Sequence, residues 1–172
     1  MILVGIVTPK NYAEKHTQAR LSMLTKLKYV GVPLNDLIQV YILFVRSLLE
    51  YCCVSWHSSL TLAQSENIER VQRTALKVIM GNLYTDYESS LEFCDIVSLF
   101  DRREKRCLTF GLRCLKHPKH KTMFPLNETE ASSSTRHRNT FQVNFARTST
   151  YQNSAIPFIQ TKLNEYVDII LM

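Results

Sequence analysis

The chain has 172 residues, 45% of them hydrophobic, which is enough to bury a single core and excludes disorder throughout. Its formal net charge of +6 is concentrated between residues 99 and 150, where eleven Lys and Arg occur with four Asp and Glu. The four glycines and five prolines are too few for the frequent turns of a sheet-rich protein, so the sequence predicts a mainly α fold.

Cysteine usage and the N-terminal sequence point to a compartment. Five cysteines are an odd number, which argues against a disulfide framework. The apolar run 1–7 is too short for a secretory signal or a membrane span. We therefore expect a reduced intracellular protein of the nucleus or cytoplasm, with no membrane partner.

Two helices are predicted in the first third of the chain. The first runs from about residue 11 to 30 and ends at Gly31. The second begins at Pro33, and its apolar residues recur at three- and four-residue spacing: Leu37, Val40, Tyr41, Phe44, Val45, Leu48, Leu49 and Cys52. This pattern predicts that the second helix is the hydrophobic centre of the molecule.

A third helix is predicted from Thr61 to Gly81. Thr61 and Gln64 form a capping-box pattern, and the apolar stripe consists of Ile68, Val71, Ala75, Val78 and Ile79. Glu69 and Arg73 are spaced as an acid-to-base pair on the opposite, solvated face. We expect Phe44, Leu48 and Val71 to be buried where these helices meet.

Later elements divide the chain into three predicted parts. A short helix follows Asp86, and a longer one runs from the capping pattern of Ser98 and Asp101 to about Lys116. The sequence predicts a helical bundle over 11–117, a flexible basic and polar linker over 118–140 and a C-terminal extension over 141–172. The extension combines a possible short strand with an amphipathic helix.

The basic excess provides the candidate binding residues. Five lie on the long helix and two in the linker: Arg102, Arg103, Lys105, Arg106, Arg113, Arg136 and Arg138. Clustered cations bind phosphates with release of counterions, so nucleic acid is the expected partner. The alternative is a solvated positive helix face and a polar tail. Several aromatic residues could stack on bases or belong to the core: Tyr84, Tyr87, Phe141, Phe145 and Tyr151.

Catalytic patterns are absent from the sequence. Polymerase chemistry needs clustered carboxylates that hold two metal ions, whereas the aspartates here stand singly. The nearest metal-ligand pattern consists of Cys107, Cys114, His117 and His120, whose spacing favours core cysteines and surface histidines instead. We expect no catalytic residue, metal, cofactor or small-molecule substrate.

Several segments, in a fixed order, carry a family resemblance. They are 46–51 (Arg-Ser-Leu-Leu-Glu-Tyr), Trp56, 68–79 (Ile-Glu-Arg-Val-Gln-Arg-Thr-Ala-Leu-Lys-Val-Ile), Tyr84 with Tyr87, 101–103 (Asp-Arg-Arg), and 150–151 with Ser154 and Pro157. Together they resemble the region after the palm in reverse transcriptases of LINE-type, jockey-like or CR1-like non-LTR retrotransposons. The resemblance covers about residues 11 to 163.

This resemblance implies a thumb-like helical bundle that would hold template and primer beside the palm of an RNA-directed DNA polymerase. The palm and its metal-binding aspartates have no counterpart in the chain. We therefore expect a truncated, catalytically incompetent fragment with residual non-specific binding to RNA, DNA or their hybrid. The alternative is a helical protein-interaction or structural module without nucleic-acid affinity.

Overall fold

The computed structural model describes residues 12–127, 140–143, 145 and 147–171. These residues form a mainly α protein, as predicted. Within the described ranges, the only β feature is an isolated antiparallel bridge between Leu126 and Phe141. The possible strand at 141–145 is therefore limited to that bridge in the part described.

The helices follow the predicted order closely. They are α1 (Tyr12–Tyr29), α2 (Leu34–Val40), α3 (Ser47–Leu49), α4 (Cys53–Trp56), α5 (Leu62–Met80), α6 (Tyr87–Phe93), α7 (Leu99–Lys116), α8 (Pro118–Lys121), α9 (Ser149–Gln152) and α10 (Ala155–Leu171). A π-helix, Tyr41–Arg46, joins α2 to α3, and 3-10 turns follow α4 and α5. The predicted capping box of α5 and the predicted amphipathic C-terminal helix are both confirmed.

The chain divides into two compact units, and the division differs from the predicted boundary at residue 117. The first unit contains 12–51 and 61–102, and the second contains 52–60 and the described residues from 103 onward. The division falls inside α7, because the residues of that helix beyond 102 pack with α10 instead. Residues 118–127, predicted as linker, include the buried Phe124. Residues 128–139 of that predicted linker lie outside the described residues.

The first unit has its core between α1, α2 and α5. Fully buried side chains include Leu24, Leu37, Tyr41, Leu76 and Ile79. α5 ends at Gly81, which has a φ of +56°. The Lys28 ammonium donates a hydrogen bond of 2.9 Å to the Ile79 carbonyl near this end. A cation there complements the negative end of the helix dipole.

The π-helix changes which side chains enter this core. A π turn is wider than an α turn, so positions four residues apart repeat inward: Leu37, Tyr41, Val45 and Leu49. Phe44 is consequently 52% exposed, and the prediction that it is buried is wrong. Leu48 and Val71 are only half-buried. Arg20 of α1 donates a hydrogen bond to the Phe44 carbonyl.

The second unit has a smaller core between α7, α10 and the segment around Phe124 and Phe141. Asn164 holds the backbone of Phe141 from both sides: its Oδ1 accepts from the Phe141 N–H at 2.7 Å, and its Nδ2 donates to the carbonyl at 3.0 Å. Gln160 donates to the Met123 carbonyl at 3.1 Å. Two buried amide side chains of α10 thus hold the backbone at Met123 and at Phe141.

Gly111 sets how closely α7 and α10 approach. A Cβ atom at this position would lie 2.6 Å from Cγ2 of Ile159 and 3.2 Å from Cδ1 of Leu163. Both neighbours are fully buried, so neither has room to move aside.

We expect Gly111→Ala to lower the free energy of unfolding by about 1–3 kcal/mol, because overpacking outweighs the gain in helix propensity of about 1 kcal/mol. Urea unfolding followed by circular dichroism measures the change. Lys105→Ala on the exposed side of the same helix is the control and should stay within about 0.5 kcal/mol of the parent protein. A more stable Gly111→Ala protein would contradict the close contact.

Candidate nucleic-acid interface

The start of α7, the helix that carries five of the predicted binding residues, is fixed from two sides. Ser98 accepts a hydrogen bond from the Asp101 N–H at 3.1 Å and donates to its carboxylate at 2.7 Å. The buried Glu69 carboxylate of α5 accepts from the N–H groups of Leu99 at 3.0 Å and Phe100 at 3.2 Å. The first-turn donors are thus satisfied, and a negative charge lies at the positive end of the helix dipole.

Glu69 belongs to a chain of buried hydrogen bonds across the first unit. The Tyr87 hydroxyl donates to Glu69, and the Gln72 amide donates to the Tyr87 oxygen at 2.9 Å and to the Val97 carbonyl at 3.2 Å. The Gln72 oxygen accepts from the Tyr41 hydroxyl at 2.5 Å. Burial raises the pKa of both tyrosines, and for Tyr87 the bond to Glu69 raises the pKa further. Both hydroxyls therefore remain protonated donors.

Sequence reasoning missed both Glu69 and Gln72. Glu69 was predicted to pair with Arg73 in solvent, but it is buried, and Arg73 donates instead to Glu66 at 2.9 Å. A signal for Gln72 existed, because at about 100° per residue it falls in the middle of the arc that contains Ala75 and Ile79. A polar residue inside an apolar arc indicates a buried hydrogen-bonding position.

Arg102 forms an ion pair inside the first unit. Its Nε donates to Glu50, and its Nη2 lies 3.3 Å from the second Glu50 oxygen, a two-point contact. The Glu50 side chain is 3% exposed and that of Arg102 is 27% exposed. Arg102 therefore stabilises the fold by compensating a buried carboxylate. Its guanidinium already forms an ion pair with Glu50, so binding a phosphate would compete with that pair.

Arg103 lies in the core of the second unit. It is 0% exposed, its Nε donates to Nδ1 of His57 at 3.4 Å, and its guanidinium carbon lies 6.0 Å from the ring centre of Trp56. This burial contradicts the predicted contact between Arg103 and a phosphate. His57 is itself buried, with its ring edge-on to Phe158 at 5.4 Å.

The remaining basic residues of α7 share one exposed face. Lys105, Arg106, Arg113 and Lys116 are all exposed and fall within an arc of about 100° at 100° per residue. We call these four residues the α7 basic face. They span about 16 Å along the helix at 1.5 Å per residue. Glu104, an acidic neighbour, lies outside this arc and bonds to Lys162 at 2.7 Å.

The α7 basic face continues into α8, where Lys119 and Lys121 are exposed. Two of the seven predicted binding residues, Arg136 and Arg138, lie outside the described residues. Of the predicted stacking residues, Tyr87 and Phe141 are buried, Tyr84 is half-buried beneath Lys77, and Phe145 and Tyr151 are exposed.

The weak metal candidate is not assembled in the structure. Burial raises the pKa of the Cys107 thiol to about 12, and burial also raises the pKa of Cys114. His117 and His120 are exposed and stack on each other, with ring centres 4.5 Å apart. In the described ranges, no three His, Cys, Asp or Glu side chains are gathered where they could hold a metal ion.

Within the part of the chain that the structure describes, no single helix is long and apolar enough to cross a membrane. The consecutive segments 34–49 and 53–59 meet the criteria of length and composition only as a bent pair. Leu37, Tyr41 and Val45 of the first of these segments are core residues.

The segments that carried the family resemblance contact one another in the first unit. Glu50 of segment 46–51 pairs with Arg102 of segment 101–103. Glu69 and Gln72 of segment 68–79 bond to Tyr87. Residues that are far apart in the sequence are thus partners in the fold, which gives the ordered pattern a structural role.

Comparison with known proteins adds no relative: no protein-family model, curated protein or solved structure matches the chain.

The ion pair of Arg102 generates a stability prediction. We expect Arg102→Gln to lower the free energy of unfolding by about 2–3 kcal/mol, because the buried Glu50 carboxylate loses a charged donor. Arg113→Gln, further along the exposed surface of the same helix, should change it by less than about 0.5 kcal/mol. Urea unfolding of both variants at pH 7 measures the difference. Equal losses of unfolding free energy in the two variants would show that the ion pair of Arg102 with Glu50 does not stabilise the fold.

His57 generates a pH prediction. Burial, and then the neighbouring Arg103 charge, lower the pKa of His57 below its ordinary value of 6.5, while Glu104 opposes and Lys162 adds to this effect. The unfolded chain therefore binds an extra proton as the pH falls below about 6.5, and stability present above that pH is lost.

We expect the free energy of unfolding to fall between pH 7 and pH 5 more steeply in the parent protein than in His57→Gln. Glutamine retains a hydrogen-bond acceptor for Arg103 without titrating. Unfolding in urea at several pH values provides the measurement, and parallel curves for the parent protein and His57→Gln would reject the assignment.

Proposed function

We propose that this chain is a non-catalytic nucleic-acid-binding module that contacts the phosphate backbone through the α7 basic face. The observation that carries this proposal is the grouping of Lys105, Arg106, Arg113 and Lys116 on one exposed arc of α7.

The dimensions of the face suit a phosphate backbone. A length of about 16 Å corresponds to about five phosphates of one strand at 3.4 Å each. Lysine and arginine on a rigid helix can follow such a row, and their positive potential steers a polyanion towards it. Contacts of this kind position the nucleic acid without reading its sequence, so we expect little sequence preference.

We further propose that the module is the post-palm, thumb-like part of a LINE-type, jockey-like reverse transcriptase. The ordered motifs support this assignment, as do the contacts between motif residues, Glu50 with Arg102 and Glu69 with Tyr87. In a whole polymerase of that family such a module would hold template and primer beside the palm. We assign polymerisation to none of its residues, since its function is to bind.

The proposed compartment is intracellular, in the nucleus or cytoplasm. All five cysteines lie in the described part of the chain, and none of them forms a disulfide. Four are buried, and burial raises the pKa of Cys94, Cys107 and Cys114, which keeps these thiols protonated and unreactive. Reduced core cysteines are typical of a reducing compartment.

A protein-interaction module is the second candidate, and one observation favours it. The π-helix places Leu43 and Phe44 in solvent, at 62% and 52% exposure. Exposed neighbouring apolar residues are a feature of protein-binding surfaces. This candidate predicts no salt-dependent affinity for nucleic acid, so the next experiment separates the two.

We expect the triple substitution of Lys105, Arg106 and Arg113 by glutamine to weaken binding to duplex DNA and to an RNA–DNA hybrid. Each lost phosphate contact removes about 0.9 from the slope of log affinity against log salt on duplex DNA, so the slope should flatten by up to about 2.7. Fluorescence anisotropy of labelled duplexes across a salt series measures both quantities. Arg102 and Arg103 are left intact, because changing them would disturb folding.

A matched control removes three exposed cations from the first unit, Lys26, Arg70 and Lys77, also by glutamine. It lowers the net charge by the same three units. The control should retain the parent slope, which separates a local face from overall charge. Equal slopes in the parent protein and the face variant would reject the α7 basic face and leave the interaction module as the better explanation.

A further inference from the structure

A groove of about 570 Å³ opens in the second unit and is not part of the α7 basic face. Its walls come from the segment around Val143 and Phe145, from the end of α9 and from the outer side of α10. The volume lies in the range of about 300–1,000 Å³ typical of pockets for small organic groups.

The apolar walls of the groove are aromatic. Phe145 is 87% exposed and forms part of the groove wall. Phe158 is half-buried and fixed in place, with its ring edge against His57 at 5.4 Å and the Lys162 ammonium 5.9 Å from its centre. The groove therefore combines a fixed ring with an exposed ring that is available for stacking.

The polar lining includes two neighbouring amides, Gln152 and Asn153, whose side chains are exposed. Its other polar members are Thr161, Lys162 and Glu165. Each of the two amides carries a donor and an acceptor in one plane. The backbone beneath them is held: Ser59 donates to the Asn153 carbonyl at 3.0 Å, and the Asn153 N–H donates to the Ser149 carbonyl at 2.9 Å. Amide pairs of this kind bond to the edges of nucleobases.

The charge of the groove favours a neutral group. Lys162 bonds to Glu104 at 2.7 Å and to Glu165 at 2.8 Å, so its charge is compensated by two carboxylates. A phosphate is therefore a poor occupant of the groove itself. Arg147 is exposed two residues after Phe145, within about 7 Å along the chain, and can take a phosphate beside the groove.

We propose that this groove holds an unpaired nucleobase of a single-stranded nucleic acid. The base stacks on Phe145, its hydrogen-bonding edge meets Gln152 and Asn153, and the adjoining phosphate lies near Arg147. The proposal rests on the proposed nucleic-acid binding and adds a second site to it. An aromatic platform, paired amides and a neutral interior suit a planar base better than an aliphatic side chain, which needs neither the ring plane nor the amides.

The test uses the full chain and a single-stranded DNA of about twelve nucleotides with a central 2-aminopurine, whose fluorescence is quenched by stacking. We expect Phe145→Ala and Phe145→Leu to weaken single-strand binding about tenfold, a typical loss for one stacked base, and to abolish the added quenching. Phe145→Trp should retain both. Phe93→Ala, at another exposed phenylalanine, which lies in the first unit, is the control and should bind as the parent protein does.

Each outcome decides between the two proposals. If duplex binding persists but Phe145→Ala binds and quenches like the parent protein, the base site is rejected and the α7 basic face stands. If Phe145→Leu matches the parent protein, the groove accepts any apolar group, as for a protein partner, and base stacking is rejected. If the parent protein binds neither single strands nor duplexes, the proposed function fails together with the base site.

Discussion

The buried carboxylate of Glu69 holds the beginning of α7, and the candidate interface depends on where that helix begins. A carboxylate removed from water is costly unless its oxygens receive hydrogen bonds. Glu69 receives them from the Tyr87 hydroxyl and from the first N–H groups of α7. The same contacts satisfy donors that the helix cannot satisfy itself, so one side chain resolves two desolvation problems. The first turn of α7 is thereby fixed within the first unit.

Along α7, positively charged residues only a few positions apart have different environments. Arg102 compensates Glu50, Arg103 lies in a core, and Lys105 and Arg106 are in solvent. A rotation of 100° per residue places Arg103 outside the arc of Lys105 and Arg106, whereas Arg102 falls within that arc and differs from them through its contact with Glu50. Positive charge on a helix is therefore a poor guide to binding unless the partners of each side chain are known.

Local interactions account for what the sequence predicted well. The limits of α5 follow from Thr61 and Gly81, and the start of α7 follows from Ser98, because caps depend on residues three or four positions away. The spacing of apolar residues does not predict the π-helix, because a search for α-helical periodicity does not distinguish a widened turn from an ordinary one.

Within the candidate site, sequence reasoning predicts which basic residues are exposed better than it predicts the partners of the others. The positions of Lys105, Arg106 and Arg113 on the surface follow from helical periodicity. The partners of Arg102 and Arg103 are 52 and 46 residues away in the sequence, beyond any periodicity argument. The groove at Phe145 likewise needs three segments that only folding brings together.

The separation of these arginines and lysines has an evolutionary consequence. Diverging copies of a gene accumulate substitutions at a pace set by what selection still preserves. Where only folding is preserved, Glu50 and Arg102 should persist together, while Lys105 and Arg113 change to other polar residues at little cost to the fold. Where binding is preserved as well, both sets should persist. The pattern of substitution in the two groups of cations on α7 would thus show whether selection has preserved folding alone or folding and binding together.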